Sequence, residues 1–359
     1  MNTDFQSLMA RASQLTQNGD LMAATAAIQR ALAGVPAASA TESADLIDGS
    51  DLVSVVEDRS AAASPANAEP ARRSEQPGVA GRTVAGHHAD AHGARDYKLY
   101  IPPQAGSAPL PLVVMLHGCT QTADDFAAGT GMSQAALERG FFVLYPEQSA
   151  QANPQRCWNW FKHTHQQRER GEPALLAAIV RSVMSAHAVD PARVYVAGLS
   201  AGGAMAAILA DTHPELFAAV GVHSGLAAGS ARDLPGALSA MRQGGAGGGE
   251  ADGRCVPTIV FHGDADATVH PSNGEHVIAA AGALGGASSS ERVQRKGRRA
   301  STQRVHRAND GRVLAEHWLV HGSAHAWSGG TRAGSYTDPS GPDATAEMLR
   351  FFFEHGRRH

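Results

Sequence analysis

The feature that most constrains this chain is a strand-length run that breaks on a serine between glycines and resumes as helix. Arg193-Val194-Tyr195-Val196-Ala197 reads as a strand, Gly198-Leu199-Ser200-Ala201-Gly202 as a sharp turn, and Ala204 to Ala210 as a strong helix former. Gly-x-Ser-x-Gly in that context places the serine on a strained corner, with its hydroxyl projecting from the end of a sheet. A side chain at either flanking position would clash, which accounts for Gly198 and Gly202. The helix that starts at Ala201 aims its free N–H groups and the positive end of its dipole at the same spot. The bare motif is a weak signal; the strand before it and the helix after it make it specific.

From residue 93 onward the chain agrees with such a corner. Apolar runs of strand length occur at Tyr97–Ile101, Leu112–Leu116, Phe141–Tyr145, Val194–Ala197, Ala219–His223, Thr258–His262 and Arg312–Val320. Helical patterns fall at Glu172–His187, Ala201–Asp211, Asn273–Leu284 and Asp343–His355. Ser272 with Glu275 reads as a capping box for the third helix, and Ser340 with Asp343 as a looser one for the last. Strand–helix alternation implies an α/β fold, a mostly parallel sheet covered by helices on both faces. Runs such as Leu112-Val113-Val114-Met115-Leu116 lack alternation, as central strands do. Gly244–Gly249 reads as a surface loop, with no strand or helix placed to make it a phosphate cradle.

A serine nucleophile needs a base and an acid, which on this architecture follow the serine in the order acid, then histidine, on loops at the carboxyl ends of later strands. The strand at Thr258 runs into His262-Gly263-Asp264-Ala265-Asp266-Ala267-Thr268-Val269. Asp266 fits the usual His-Gly-x-x-Asp-x-x-Val form of this loop, and Asp264 is the competing carboxylate, read as a turn-former or supporting partner. The last long strand runs into His321-Gly322-Ser323-Ala324-His325. His325 sits in a small-residue loop just before the final helix, whereas His321 still belongs to the strand end. The turn His117-Gly118-Cys119 after an early strand suits a backbone donor to an oxyanion, so the Cys119 and Ala201 amides are the expected pair. His117 is expected to pack beneath the loop.

Composition narrows the partners. A formal net charge of −4 gives no reason to expect nucleic acid, and the basic run from Arg292 to Arg307 reads as a solvated loop or hairpin face. Three cysteines, Cys119, Cys157 and Cys255, are too few and too scattered for a zinc site. The histidines of Gly86–His92 lie in what reads as flexible chain, at spacings that suit no rigid metal site. No metal or organic cofactor is implied. There is no secretory leader and no apolar stretch near the ~20 residues of a membrane span, so a cytoplasmic protein with no membrane partner is expected.

Residues 1–34 read as an αα-hairpin. Phe5, Leu8, Met9, Ala12 and Leu15 share one face, and Leu21, Ala24, Ile28, Ala31 and Leu32 another, either side of Asn18-Gly19-Asp20. The pattern is similar to one tetratricopeptide unit, which cannot bury its own apolar face. It should dock on the main domain, a second copy or another partner. Residues 35–80, rich in Ala, Ser, Pro, Asp and Glu, read as a disordered linker, and residues 81–359 as the catalytic domain.

Taken together, four stretches resemble the polyhydroxybutyrate depolymerase family of esterases, within the α/β-hydrolase superfamily. They are Leu116-His117-Gly118-Cys119-Thr120-Gln121, Cys157-Trp158-Asn159-Trp160-Phe161, Val194 to Met205, and His325-Ala326-Trp327-Ser328-Gly329-Gly330. The resemblance covers residues 93–356. It implies an α/β-hydrolase fold and a triad at Ser200, Asp266 and His325, acting on poly- or oligo-3-hydroxybutyrate esters. Feruloyl, acetylxylan and general short-chain esterases are the related alternatives. A non-enzymatic granule-binding protein is a further one, which would have no need of the triad. Trp158, Trp160 and Trp327 become candidate substrate contacts, with core packing the competing role. The resemblance also implies that Cys119 and Cys157 flank the site, where a disulfide would join them in an oxidising compartment. Secreted members carry a leader and a polymer-binding domain, neither of which is expected here, so oligomers, intracellular polymer or small esters are the expected substrates.

Overall fold

Six strands run parallel through the centre of one sheet, and the reason is visible in their composition. The computed structural model describes residues 81–248, 255–282, 287–293 and 297–357. In chain order these form β1 (Arg82–Asp90), β2 (Gly93–Ile101), β3 (Leu110–Leu116), α1 (Ala123–Thr130), α2 (Met132–Arg139), β4 (Phe142–Pro146), a 3-10 turn (His163–Gln166), α3 (Gly171–Ala186), β5 (Val189–Leu199), α4 (Ala201–Thr212), β6 (Ala219–His223), α5 (Leu234–Gln243), β7 (Thr258–Gly263), α6 (Ser272–Ala280), β8 (Ala287–Val293), β9 (Ser301–Arg307), β10 (Val313–Val320), the two-residue β11 (Trp327–Ser328) and β12 (Thr337–Asp338), and α7 (Ala344–Glu354). The large sheet has the order β1-β2-β4-β3-β5-β6-β7-β10-β9-β8. From β4 to β10 every pairing is parallel, and both flanks are antiparallel.

The parallel strands are mainly apolar in their central stretches because both faces are covered there. Along β3, Leu112, Val114 and Leu116 enter one core, packed under α3 and α4 by Leu176, Ile179, Val180, Met205 and Leu209. Val113 and Met115 enter the other, covered by Phe126, Met132, Met348, Leu349 and Phe352 from α1, α2 and α7. The sheet is thereby pinned from both sides, and the loops at the carboxyl ends of β3, β5, β7 and β10 hold fixed positions from which to build a site.

Several local expectations are corrected. Gly86–His92 is not flexible chain: residues up to Asp90 belong to β1, paired along its length with β2. There His87 bonds Asp96 and His88 bonds Asp90. Ser272 does not cap α6, which follows Pro271 with no side-chain cap; its hydroxyl bonds the His270 ring instead. Asp343, not Ser340, caps α7, accepting from the Ala346 amide. The hairpin reading of the basic run, by contrast, agrees with the structure, where part of it forms the β8–β9 hairpin at the sheet edge. The helical pattern expected to reach Leu284 ends at Ala280. The hairpin and linker expected over residues 1–34 and 35–80 lie outside the described residues. Among the described residues no helix is long and apolar enough to cross a membrane.

Candidate active site

Ser200 occupies the corner between β5 and α4, with φ +58° and ψ −119°. Few non-glycine residues adopt such a backbone, and one that does is held there by its surroundings. Here the Ser200 amide donates to the His223 carbonyl at 2.9 Å. A Cβ on Gly198 would come within 2.3 Å of the Gly202 backbone, and one on Gly202 within 2.0 Å of the Leu116 carbonyl oxygen. Serine is a favoured helix N-cap, yet the Ser200 side chain makes no cap bond to α4. Its hydroxyl faces a cavity that His325 also lines.

Asp266 and His325 meet from the loops after β7 and β10. His325 Nδ1 lies 2.7 Å from Asp266 Oδ2. The other carboxylate oxygen accepts from the Thr268 and Val269 amides, each at 2.9 Å. An ionised carboxylate only accepts, so His325 carries its proton on Nδ1 and leaves Nε2 as a base. Burial pushes the Asp266 carboxyl upward. Hydrogen bonds from His262, His325 and the Val269 amide outweigh it and hold the group far below the usual carboxylate range.

The competing pair from the same two loops also meets. His321 Nδ1 lies 2.9 Å from Asp264 Oδ2, and Asp264 Oδ1 accepts from the Gly322 amide at 2.7 Å. Thr302 Oγ1, on β9, sits 2.9 Å from the remaining His321 nitrogen. This pair lies outside the cavity and ties the β7 loop to the end of β10.

The turn after β3 is fixed by buried polar groups and a disulfide. His117 is fully buried. Its Nδ1 donates to the Gly118 carbonyl at 2.7 Å and its Nε2 accepts from the Gln148 amide at 3.0 Å, and burial lowers its pKa. The Gly118 amide donates to Gln121 Oε1 at 2.9 Å. Cys119 is joined to Cys157 by a disulfide, and the Thr120 amide donates to the Gln155 carbonyl. Among the described residues, neither the Cys119 nor the Ala201 amide donates to a protein acceptor, and both residues line the cavity.

Beneath the Cys157–Phe161 segment lies Glu172, buried at the start of α3. It accepts from the Asn159 amide at 2.7 Å, the Asn159 side chain at 2.8 Å and the Gln148 side chain. The Arg95 guanidinium is 3.3 Å away. Burial pushes the Glu172 carboxyl up, but donors led by His165 hold it below its ordinary value. One glutamate in a chain with 34 acidic residues carries no local signal of this role.

The cavity holds about 50 Å³ and is walled mainly by apolar groups, among them Trp160, Phe161, Leu226, Met241 and Val269. Of the three tryptophans singled out from sequence, Trp160 lines it. Trp158 and Trp327 do not. Trp158 is fully buried against His117, its indole N–H satisfied by the His117 carbonyl. Trp327 packs on Phe126 and His223 and donates to Thr345. A buried indole must find an acceptor, and both find one inside the core. Met241 and Tyr336 line the cavity without sequence warning, because α5 and the β11–β12 segment reach it only through tertiary closure.

With this geometry in place, the sequence profile described as esterase PHB depolymerase matches residues 95–304, more than half of the chain. The chain belongs to that family. Within the esterase PHB depolymerase family, it is 35% identical over 188 residues to poly(3-hydroxyalkanoate) depolymerase C of Paucimonas lemoignei, covering 49% of this chain and 45% of the relative. It is 29% identical over 246 residues to poly(3-hydroxybutyrate) depolymerase of Ralstonia pickettii, covering 64% and 50%. A probable acetylxylan esterase A of Aspergillus fumigatus is 31% identical over 195 residues, covering 49% and 51%. The chain thus spans about half the length of the curated relatives it matches. Acetyl xylan esterase from Aspergillus awamori superposes with a TM-score of 0.55 at 19% identity, covering 75% of this chain and 99% of that one. That likeness establishes the α/β-hydrolase fold of this family member.

Proposed function

We propose that this chain is a carboxylic ester hydrolase acting on short 3-hydroxyalkanoate esters through Ser200, His325 and Asp266. The observation that carries the reading is one cavity bearing a strained, uncapped serine and a histidine whose Nδ1 is bound to a buried carboxylate. Ser200 Oγ attacks the ester carbonyl carbon while His325 Nε2 takes its proton. Negative charge develops on the carbonyl oxygen, which the Cys119 and Ala201 amides receive at the positive end of α4. His325 then passes the proton to the leaving alkoxide. A water deprotonated by the same nitrogen hydrolyses the acyl-enzyme and restores Ser200. Asp266 keeps the imidazole in the required tautomer and stabilises the imidazolium.

Cavity size supports a short acyl group. About 50 Å³ takes a small acyl group, and a longer or ring-bearing one would extend through the open mouth. An acetyl group fits the same space, and the likeness to acetylxylan esterases keeps acetyl esters as the second reading. The names of the depolymerase relatives favour hydroxyalkanoates. The deciding experiment compares p-nitrophenyl butyrate, p-nitrophenyl acetate and 3-hydroxybutyrate oligomers with wild type and Ser200→Ala. Cleavage by wild type alone is expected, with oligomers preferred over acetate; equal rates in the variant would overturn the reading.

A further inference from the structure

The mouth of the cavity is bordered by Tyr336, one of few large hydrophobic residues left in solvent among the described residues, at 41% exposure. Its backbone lies at φ +51°, and Thr120 opposite it at φ +66°. A β-branched residue in that region is a genuine outlier, and such strain persists where surrounding structure over-determines it. The two face each other: Tyr336 Oη lies 3.2 Å from Thr120 Oγ1.

The direction of that hydrogen bond follows from proton counting. Thr120 Oγ1 lies 2.6 Å from the Cys119 carbonyl oxygen, which only accepts, so the single threonine proton is used there. Thr120 must therefore accept from Tyr336, and the single phenol proton is used in turn. What remains on the phenol oxygen is lone pairs. Gln121, a side-chain amide in the lining, has its oxygen on the Gly118 amide and its nitrogen on Asp125. The phenol oxygen thus offers an acceptor at the mouth, held against the side chain of the residue that follows Cys119, in a wall that is mainly apolar.

We propose that Tyr336 is a specificity-determining residue that accepts a hydrogen bond from a substrate hydroxyl close to the ester, with Thr120 fixing the phenol as an acceptor. This rests on the ester hydrolase reading of Ser200 and His325. The hydroxyl could belong to a hydroxyacyl group or to the alcohol being released; the shared chemistry is a hydroxyl donor a few bonds from the scissile carbonyl.

Three esters of nearly equal size separate these sources: ethyl butyrate, ethyl 3-hydroxybutyrate and 2-hydroxyethyl butyrate, followed by titration of the acid released. Wild type should prefer at least one hydroxylated ester over ethyl butyrate in kcat/KM, and Tyr336→Phe should shrink that ratio roughly five- to tenfold, chiefly through KM. The ester whose advantage disappears identifies the side that carries the hydroxyl. Thr120→Ala should erode the ratio as well, because the freed phenol proton can turn into the cavity, whereas Thr120→Ser should keep it. These two variants decide the matter if Tyr336→Phe fails to melt like wild type. An unchanged ratio in folded Tyr336→Phe, or in Thr120→Ala, would overturn the inference and leave the hydrolase reading intact. Failure of wild type to cleave any of the three would overturn the hydrolase reading and this inference with it.

Discussion

Two aspartate–histidine pairs stand side by side on the same two loops, and only one faces Ser200. Asp264 and His321 come two and four residues before Asp266 and His325, and both pairs bond through Nδ1 at 2.9 Å and 2.7 Å. Burial separates them. The Asp266 side chain is 0% exposed and that of His325 13%, against 38% and 29% for Asp264 and His321. In water a charge pair of this kind is screened and worth little. At the edge of an apolar cavity the same pair, on the proposed mechanism, would fix a tautomer and stabilise a developing imidazolium. Chemistry here follows from the environment of the pair more than from its geometry.

The comparison breaks most directly at the histidines. His325→Ala should lower kcat on p-nitrophenyl butyrate by about 10⁴-fold or more, while His321→Ala should stay within a few-fold of wild type. A large loss in His321→Ala would show that the outer pair also serves turnover. The carboxylates come next. Asp266→Asn should cost roughly 10³–10⁴-fold in kcat by destabilising the required tautomer, and Asp264→Asn should change kcat little; steady-state kinetics on the two variants at one pH settles it.

A third test asks whether burial raises the stakes elsewhere. Glu172→Gln removes the charge that several donors converge on, and should lower unfolding stability by about 3 kcal/mol and raise KM by loosening the Trp160 wall. Denaturant titration together with KM measures both, and a variant of wild-type stability would contradict the buried role.

The smallest effect per unit is in pH. His223 and His317 are buried, and burial first, then neighbouring histidines, lowers each pKa to about 3. Below pH 6.5 the unfolded chain binds protons that the folded chain refuses, so stability falls as pH drops from 6.5 toward 3. The slope is about 1.4 kcal/mol per unit for each histidine. Asp266 acts in the same sense: its stabilisation is present above ~pH 4 and is lost as pH falls further. Thermal melts from pH 7 to 5 should show this decline, and His317→Gln should flatten it.

The sequence exposed the residues whose role is local. Ser200 announces itself because a strand, a glycine-flanked corner and a helix are contiguous. Asp266 and His325 stand directly after strand-length apolar runs. Strand β1 escaped notice because it lies at a sheet edge, where polar residues are tolerated and the apolar signal fades, and β8 at the other edge with its neighbour β9 showed only as a basic hairpin face. Helices α1, α2 and α5 are short and carry little periodicity. Glu172, Met241 and Tyr336 gain their roles only when distant segments close over the cavity, and no spacing encodes that. Trp158 and Trp327 misled for the same reason: a large aromatic near a motif can turn inward as readily as outward.

The corner at Ser200 also bears on how this protein could be altered. At Gly198 and Gly202 the nearest obstacles to a Cβ are backbone atoms, which cannot step aside into another rotamer. No single repacking elsewhere would rescue a substitution there. A mutational walk toward new substrates must therefore leave the corner untouched and pass through the rim. There Trp160, Met241 and Tyr336 are side-chain walls whose replacement would reshape the entrance without moving the nucleophile.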